Sequence, residues 1–180
     1  MEYYAGIGSR ETPHDVLQLF EYLGNYLAKK GFTLRSGHAD GADKNFENGC
    51  DIANGLKEIY LPWSGFNGSD SELVVENTEA FDIAELYHPY WHNLKEGGRK
   101  LQARNSHQVL GENLKIPSTF IICWTKNGKA SGGTGQAIRI AKAYNIPVFD
   151  VGKYKDINDS LLELQLFLIE NTSLTKDNFN

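Results

Sequence analysis

The sequence predicts an α/β protein with three layers and a mostly parallel sheet of about five strands. Along its 180 residues, short apolar segments alternate with segments whose apolar residues recur at spacings of three and four. The first pattern is typical of buried strands and the second of amphipathic helices. Hydrophobic residues make up 41% of the chain and charged residues 23%, as in an ordinary globular domain.

The first third of the chain contains three predicted strands and two predicted helices. Residues 2–8 form an apolar, aromatic strand that ends in glycine, and the apolar periodicity over 16–28 indicates a helix. A second strand covers 32–36, a second helix runs from 40 to about 53, and a third strand covers 57–61. Because strands that alternate with helices are joined by crossovers, we expect neighbouring strands to run parallel.

The rest of the chain continues this alternation. The run STFIICW at 118–124 is the clearest buried strand, because it is continuous, apolar and β-branched. Further helices are predicted at 77–87, 98–114, 136–144 and 161–169, and a fifth strand at 147–151. A single ligand-binding domain is therefore expected over residues 1–170, followed by a polar C-terminal tail at 171–180.

Composition argues against several classes of function. The net charge of −5 disfavours a nucleic-acid partner, since Lys and Arg supply most of the affinity for phosphate backbones. The chain has no long apolar run and no signal-peptide pattern, so we expect a cytoplasmic protein without a membrane partner. Cys50 and Cys123 cannot form a four-cysteine zinc site, and His88 and His92 are separated by Pro89 and lack a third ligand. We predict no metal and no cofactor.

Three glycine-rich turns point to a ligand site. They lie at 6–10 after the first strand, at 36–43 after the second, and at 131–136 after the 118–124 strand. Ligands of open parallel sheets bind outside the carboxyl ends of the strands, where glycines allow close approach to phosphate and helix N-termini offer free N–H groups. Each turn alone is more often a simple tight turn, but the three together predict a nucleotide-type site.

Motifs for other nucleotide and hydrolase chemistries are absent. Gly6 and Gly8 begin a Gly-x-Gly-x-x-Gly pattern, but Glu11 occupies its third position, which disfavours a dinucleotide-dependent oxidoreductase. The chain contains neither the Gly-x-x-x-x-Gly-Lys-[Ser/Thr] sequence of a P-loop nor the Gly-x-Ser-x-Gly sequence of a nucleophile elbow.

The glycine-rich turns resemble the motifs of the SLOG superfamily. The matching segments are GIGSR at 6–10, SGHADGAD at 36–43 and SGGTG at 131–135, and the resemblance covers about residues 3–150. The superfamily includes the LONELY GUY phosphoribohydrolases, the Rossmann-like domain of DNA-processing protein A, and small single-domain proteins of phages and bacterial conflict systems, which are most similar in length. The resemblance implies a Rossmann-like fold, a nucleotide-derived ligand and a homo-oligomer, an expectation that the 12% aromatic content also favours.

The chain departs from the LONELY GUY pattern at two positions. Within LQARN at 101–105, Arg104 matches the arginine of the family helix, but Asn105 replaces the following lysine. In the later motif Pro-Gly-Gly-x-Gly-Thr-x-x-Glu, Arg139 stands at the position of the catalytic glutamate. Because an arginine cannot act as that acid/base group or stabilise an oxocarbenium centre, the resemblance favours a binding protein over an enzyme.

The predicted ligand-binding residues come from the three turns and the 98–114 helix. They are Gly8, Ser9, Arg10, Ser36, Gly37, Asp40, Asp43, Arg104, Ser131, Gly132, Gly133, Thr134 and Gly135. Arg10 is expected to clamp a phosphate group, although pairing with Glu11 or Asp15 at the surface would also account for it.

Carboxylates and aromatic residues give further candidates. Asp40 or Asp43 can simply cap a helix, and Asp43 is the better candidate for contact with ribose hydroxyls. If the chain is an enzyme, Asp43, Glu47 and Arg104 are the candidate catalytic residues. Five aromatic residues either stack on a base or belong to the core or a subunit interface: Trp63, Phe66, Tyr87, Tyr90 and Trp91.

Three functions remain open from the sequence. The first is binding, without turnover, of a nucleotide-derived small molecule such as a cyclic nucleotide or an ADP-ribose-like signal, which in a phage-type relative would sequester an immune signal of the host. The second is N-glycosidic cleavage of a nucleoside monophosphate or a related phosphoribosyl compound. The third is binding of single-stranded DNA, as in DNA-processing protein A.

Overall fold

The computed structural model describes residues 2–179, which form five strands and six helices of two turns or more. In chain order the elements are β1 (Tyr3–Gly6), α1 (His14–Lys29), β2 (Thr33–Ser36), α2 (Ala42–Ile52), β3 (Lys57–Ile59), α3 (Thr78–Tyr87), α4 (Glu96–Leu110), β4 (Phe120–Cys123), α5 (Gly132–Ala143), β5 (Val148–Asp150) and α6 (Ile157–Asn171). All five predicted strands are present, and each strand is one to three residues shorter in total than predicted.

The strands form one parallel sheet in the order β3-β2-β1-β4-β5. Tyr4 in the central strand β1 is aligned with Leu34 of β2 and with Phe120 of β4. The chain order of the strands reverses between β1 and β4, and at that point the connections leave towards opposite faces of the sheet. A crevice is expected there, beyond the carboxyl ends of the two strands.

Side chains alternate across the sheet and build two separate cores. In β4, Phe120 and Ile122 pack into a core with residues of α1, α2 and α6, including Phe46. Their neighbours Ile121 and Cys123 pack into a second core with residues of α3, α4 and α5. The two cores make three layers, so the predicted three-layer Rossmann-like α/β fold is confirmed.

Helices α1 and α2 pack with their backbones close together, without side chains between them at two glycines. A Cβ atom on Gly24 of α1 would lie 2.2 Å from the carbonyl oxygen of Phe46, and one on Gly49 of α2 would lie 1.9 Å from that of Glu21. Larger residues at either position would push the helices apart. This contact holds α2, and with it Asp43 in the first turn of α2, in a defined place beside the sheet.

Three predicted helix boundaries are wrong for identifiable reasons. The predicted 98–114 helix spans Glu96–Leu110, since Gly111 has a φ of 83° and ends it. Helix α5 begins at Gly132 rather than 136, so the third glycine-rich turn forms its first turn. Helix α6 begins at Ile157 rather than 161, because the Asp156 carboxylate accepts a hydrogen bond from the Asn158 N–H and caps it.

The C-terminal segment lies against α1. Leu174 is buried in the first core, and the ring of Phe179 lies 5.6 Å from that of Tyr26. The Tyr26 hydroxyl also donates a hydrogen bond to the carbonyl of Asn178. Through residue 179 this polar segment is therefore attached to the domain. Within residues 2–179, no helix has the length and apolar character needed to cross a bilayer.

Candidate functional site

A cavity of about 430 Å³ opens where the strand order reverses. Its walls come from the β1–α1 loop, the start of α2, the middle of α4 and the β4–α5 connection. The lining residues are Ile7, Gly8, Ser9, Arg10, Glu11, Ala39, Asp43, Leu101, Gln102, Arg104, Asn105, Gln108, Lys126, Ser131, Gly132, Gly133 and Thr134. Four segments far apart in the chain thus meet around one space.

Most of the predicted ligand-binding residues line this cavity, and four do not. Those in the cavity wall are Gly8, Ser9, Arg10, Asp43, Arg104, Ser131, Gly132, Gly133 and Thr134. Ser36 lies behind it, where its hydroxyl donates a 2.6 Å hydrogen bond to the carbonyl of Gly6 and ties β2 to β1. Asp40 is exposed and pairs with Lys44 at 2.8 Å, a hydrogen bond that lowers the pKa of its carboxyl.

The other two, Gly37 and Gly135, allow close contacts that shape the wall. The carbonyl of Gly37 accepts a hydrogen bond from Arg104 Nη1 at 2.5 Å, and a Cβ atom on Gly37 would lie 1.9 Å from that nitrogen. A Cβ atom on Gly135 would lie 1.9 Å from the carbonyl oxygen of Ala130. Both glycines are therefore required by packing around the site.

Glu47, one of the candidate catalytic carboxylates, lies outside the cavity. Its two oxygens contact His38 Nδ1 at 2.6 Å and Lys57 Nζ at 2.8 Å. Lys57 also pairs with Asp51 at 2.7 Å, so Glu47 belongs to an ion-pair network that joins α2 to β3. Of the two spare carboxylates predicted from the sequence, only Asp43 reaches the cavity.

Arg104 forms a buried positive charge in the cavity wall. Only 5% of its surface is exposed. Besides Gly37, its Nη1 donates to the carbonyl of Tyr60 at 3.3 Å, while Nε donates to Asn105 Oδ1 at 3.2 Å. Burial lowers the pKa of the guanidinium, and Asp43 opposes this effect. An arginine nevertheless stays charged, so the wall carries a fixed cation.

Asp43 lies beside this cation with its carboxylate also buried. Oδ1 accepts a hydrogen bond from the N–H of Gly8 at 3.2 Å, and Oδ2 accepts one from Gln108 Nε2 at 3.5 Å. Burial raises the pKa of Asp43 to about 6, although the Arg104 charge and the backbone N–H donors act in the opposite direction. Near neutral pH the cavity therefore contains a carboxyl group that can gain or lose a proton.

The first turn of α5 supplies backbone donors to the cavity. Gly132, Gly133 and Thr134 lie in this turn, where backbone N–H groups have no intrahelical acceptor and carry a partial positive charge. Asn105 Nδ2 donates to the carbonyl of Gly133 at 3.0 Å and fixes the turn against α4. Since residues 132–135 contain no acidic side chain, this end of the cavity favours an anion.

The cavity mouth carries further charges, one of which the sequence analysis missed. Arg10 is exposed, and Lys126 Nζ lies 3.9 Å from Glu11 Oε2 across the opening. Lys126 follows β4 in a polar turn. Its position after a buried strand is the sequence feature from which its place at the cavity could have been predicted. Gln108 was also missed, although it lies one turn after Arg104 on the same helix face.

Arg139, at the position of the family's catalytic glutamate, does not line the cavity. Its Nε donates to the carbonyl of Tyr87 and its Nη2 to Gln136 Oε1, both at 2.8 Å. The bond to Tyr87 connects α5 to α3, whereas the bond to Gln136 lies within α5. Within residues 2–179, no group of three or more His, Cys, Asp or Glu side chains is arranged to hold a metal ion.

No protein-family model matches the sequence, and no curated protein matches it. Three solved structures are similar to it at TM-scores of 0.53 to 0.56. DNA processing protein A from Helicobacter pylori is 22% identical, with 94% of this chain and 77% of that chain covered, at a TM-score of 0.56. The molybdenum cofactor carrier protein from Chlamydomonas reinhardtii is 14% identical, with coverages of 99% and 92% and a TM-score of 0.54.

The third similar structure, that of TM1055, is 21% identical, with 82% of this chain and 72% of that chain covered, at a TM-score of 0.53. All three likenesses extend over most of both chains. Together with the sheet order, they show that the chain shares the Rossmann-like α/β fold of these three proteins.

Proposed function

We propose that the chain binds a nucleotide-derived small molecule through its phosphoryl group and does not cleave it. One observation carries the proposal: the first turn of α5 and the cations Arg10, Arg104 and Lys126 all line the same cavity. Free N–H groups at a helix N-terminus and guanidinium groups are both preferred partners of phosphate. The volume of about 430 Å³ lies in the usual range of small-molecule sites.

Amide side chains support a ligand that carries hydroxyl groups as well as phosphate. Gln102, Asn105 and Gln108 line the cavity along α4, opposite the glycine-rich turns. A carboxamide offers both donors and acceptors, which suits the hydroxyl groups of a ribose. A nucleoside phosphate, a cyclic nucleotide or an ADP-ribose-like molecule combines the two features.

Binding without turnover is supported by the carboxylates outside the cavity. Glu47 is committed to Lys57 and His38, and Arg139 occupies the sequence position expected for a catalytic glutamate while bonding to Tyr87. A chain that has a phosphate-binding cavity but lacks that glutamate is suited to bind its ligand without cleaving it. Sequestration of a nucleotide signal, the anti-defence use implied by the phage-type resemblance, fits these features.

A second candidate function, cleavage of an N-glycosidic bond, is favoured by Asp43. Its carboxyl lines the cavity, and burial raises its pKa to about 6. A general acid needs such a pKa to hold a proton near neutral pH. Asp43 is the one predicted catalytic carboxylate that could serve a bound nucleotide.

Single-stranded DNA, which the Helicobacter pylori protein binds, is a weaker candidate for this chain. Of the three cavity cations, Arg104 is buried, while Arg10 and Lys126 are exposed. The whole chain has a net charge of −5. Since affinity for DNA depends on neutralising many phosphates, these charges favour a small ligand.

Calorimetry with AMP, ADP-ribose and cyclic di-AMP tests the proposal directly. We expect at least one of these to bind, and both Arg10→Ala and Lys126→Ala to weaken that binding. Lys44→Ala is the matched control, because Lys44 pairs with Asp40 away from the cavity. Absence of binding by all three nucleotides would contradict the proposal.

Chromatography of the ligand after incubation separates binding from catalysis. Heat denaturation should release the nucleotide unchanged. Release of free base would establish the glycosidase instead, and its loss in Asp43→Asn would assign the acid. Binding of an oligonucleotide with a steep salt dependence would favour the nucleic-acid function.

We also propose that the chain forms a homo-oligomer. Leu162 and Leu166 lie one turn apart on α6 and are 64% and 39% exposed, which is costly for a lone apolar helix face in water. Light scattering should give a mass above that of one chain, and Leu162→Asp should reduce it. A monomer at micromolar concentration would contradict this proposal.

A further inference from the structure

We propose that Trp63 forms a second subsite beside the cavity, where its indole stacks on the base of the bound nucleotide. This inference rests on the proposed function, because it assigns a binding residue to the base of the nucleotide whose phosphate the cavity binds. It also narrows the ligand class to molecules that carry an aromatic base in addition to phosphate.

The structure separates Trp63 from the other aromatic candidates. Phe66 and Trp91 are 5% and 7% exposed and belong to the two cores. Tyr87 is half-buried on α3, where its carbonyl accepts the hydrogen bond from Arg139 outside the cavity. Trp63 and Tyr90 remain, with 40% and 69% of their surfaces exposed.

Trp63 packs against the first turn of α4, the helix whose middle part lines the cavity. Leu101, Arg104 and Gln108 line the cavity at spacings of three and four, so they share one helix face. Gly97 lies four residues before Leu101 on that face, and a Cβ atom on Gly97 would be 3.9 Å from ring carbon Cζ3 of Trp63. The indole is thus one helical turn, roughly 6 Å along the axis, from the cavity wall.

The contacts of Trp63 hold its ring in place while 40% of its surface stays exposed. Its ring packs edge-to-face on buried Phe66 at 5.3 Å, and the Arg104 guanidinium lies over the same phenyl ring at 5.7 Å. Gly97 has no side chain to separate the indole from the first turn of α4. The base of a ligand that extends one helical turn beyond the cavity would meet the indole there.

A stacking subsite of this kind recognises a base without reading its identity. Every base presents a π-face to an aromatic ring, so stacking tolerates any base. The chain would then bind nucleotides more tightly than the corresponding base-free sugar phosphates. This preference is measurable with ligands that differ only in the base.

The test compares AMP and ADP-ribose with ribose 5-phosphate in the wild type and in Trp63→Ala. We expect the variant to raise the Kd of the two nucleotides by about tenfold or more and to leave that of ribose 5-phosphate unchanged. Tyr90→Ala is the matched control, since it removes an exposed aromatic residue away from this helix face and should change neither. Thermal unfolding checks that each variant is folded.

A second measurement keeps the proposal testable if Trp63→Ala folds poorly. Nucleotides should quench the tryptophan emission of the wild type, and Trp63→Phe should abolish that quenching while keeping most of the affinity. Unchanged nucleotide affinity in Trp63→Ala, or an equal loss for ribose 5-phosphate, overturns the subsite but leaves the proposed function standing. Failure of the wild type to bind any of AMP, ADP-ribose and cyclic di-AMP overturns both.

Discussion

Arg104 Nη1 donates a 2.5 Å hydrogen bond to the carbonyl of Gly37, a residue on which a Cβ atom would lie 1.9 Å from the same nitrogen. The start of the second glycine-rich turn therefore holds the arginine in the cavity wall, while Ala39 and Asp43 further along the same turn line the cavity. Because glycine has no side chain, residue 37 leaves room for the Arg104 guanidinium, and the buried positive charge can occupy this position.

Gly37→Ala should destabilise the protein by about 1–3 kcal/mol, because the added methyl group overlaps a buried guanidinium. It should also weaken phosphate binding by displacing Arg104. Urea unfolding and calorimetry with ADP-ribose measure the two effects. In the control Gly98→Ala, the new Cβ atom meets Leu94 at an ordinary 3.6 Å, and stability should stay equal or rise by up to ~1 kcal/mol. Equal behaviour of the two variants would contradict the prediction.

Asp43 should make the folded protein less stable as the pH rises from about 4 to about 6. Burial raises the pKa of its carboxyl from 3.8 to about 6, so in that range the folded state binds more protons than the unfolded state. The free energy of unfolding then falls with rising pH, by about 3 kcal/mol in total. Asp43→Asn should remove this slope in urea titrations between pH 4 and 7.5. A slope that persists in the variant would assign it to other groups.

Binding of ADP-ribose should be tighter at pH 5.5 than at pH 7.5. Protonation of Asp43 removes a negative charge from the cavity, while a pyrophosphate diester has no titrating group in this range. Calorimetry at the two pH values should show the difference in the wild type and none in Asp43→Asn. The same pH dependence in both proteins would exclude Asp43 as its source.

Arg139→Glu should not create a phosphoribohydrolase, even though it restores the residue of the family motif. Arg139 bonds to Tyr87 and Gln136 rather than lining the cavity, so a glutamate there would not reach a bound nucleotide. Incubation of the variant with AMP should release no free adenine. The lost hydrogen bonds should lower the free energy of unfolding by about 1–2 kcal/mol. Release of adenine would show that position 139 reaches the ligand.

Asp150→Ala should loosen the connection between β4 and α5. The buried Asp150 Oδ1 accepts hydrogen bonds from the N–H groups of Thr125 and Gly152, each at 2.9 Å, and Oδ2 accepts one from the Thr125 hydroxyl. Their loss should cost about 2–4 kcal/mol in unfolding experiments, and ligand affinity should fall because this connection precedes Gly132. Asp156→Ala, which removes an exposed helix cap, should cost only ~1 kcal/mol and leave affinity unchanged.

Local sequence patterns predicted the alternation of strands and helices, the parallel sheet and the three glycine-rich turns at the carboxyl ends of its strands. These features follow from local patterns, since apolar periodicity and glycine-rich turns depend on neighbouring residues. All three turns contribute residues to the cavity wall for this reason. The beginning of α5 was missed because glycine disfavours helices, and only packing against Ala130 explains Gly135 there.

Which side chains of one helix face reach the cavity depends on long-range contacts in the folded chain. Asp43 and Glu47 lie one turn apart on α2, and both were candidate catalytic residues from the sequence. Asp43 approaches Gly8 and Gln108, whereas Lys57 on β3 draws Glu47 away from the site. Which carboxylate reaches the cavity depends on charged residues that are distant in the chain and become neighbours only when the sheet forms. No local sequence pattern therefore predicts it.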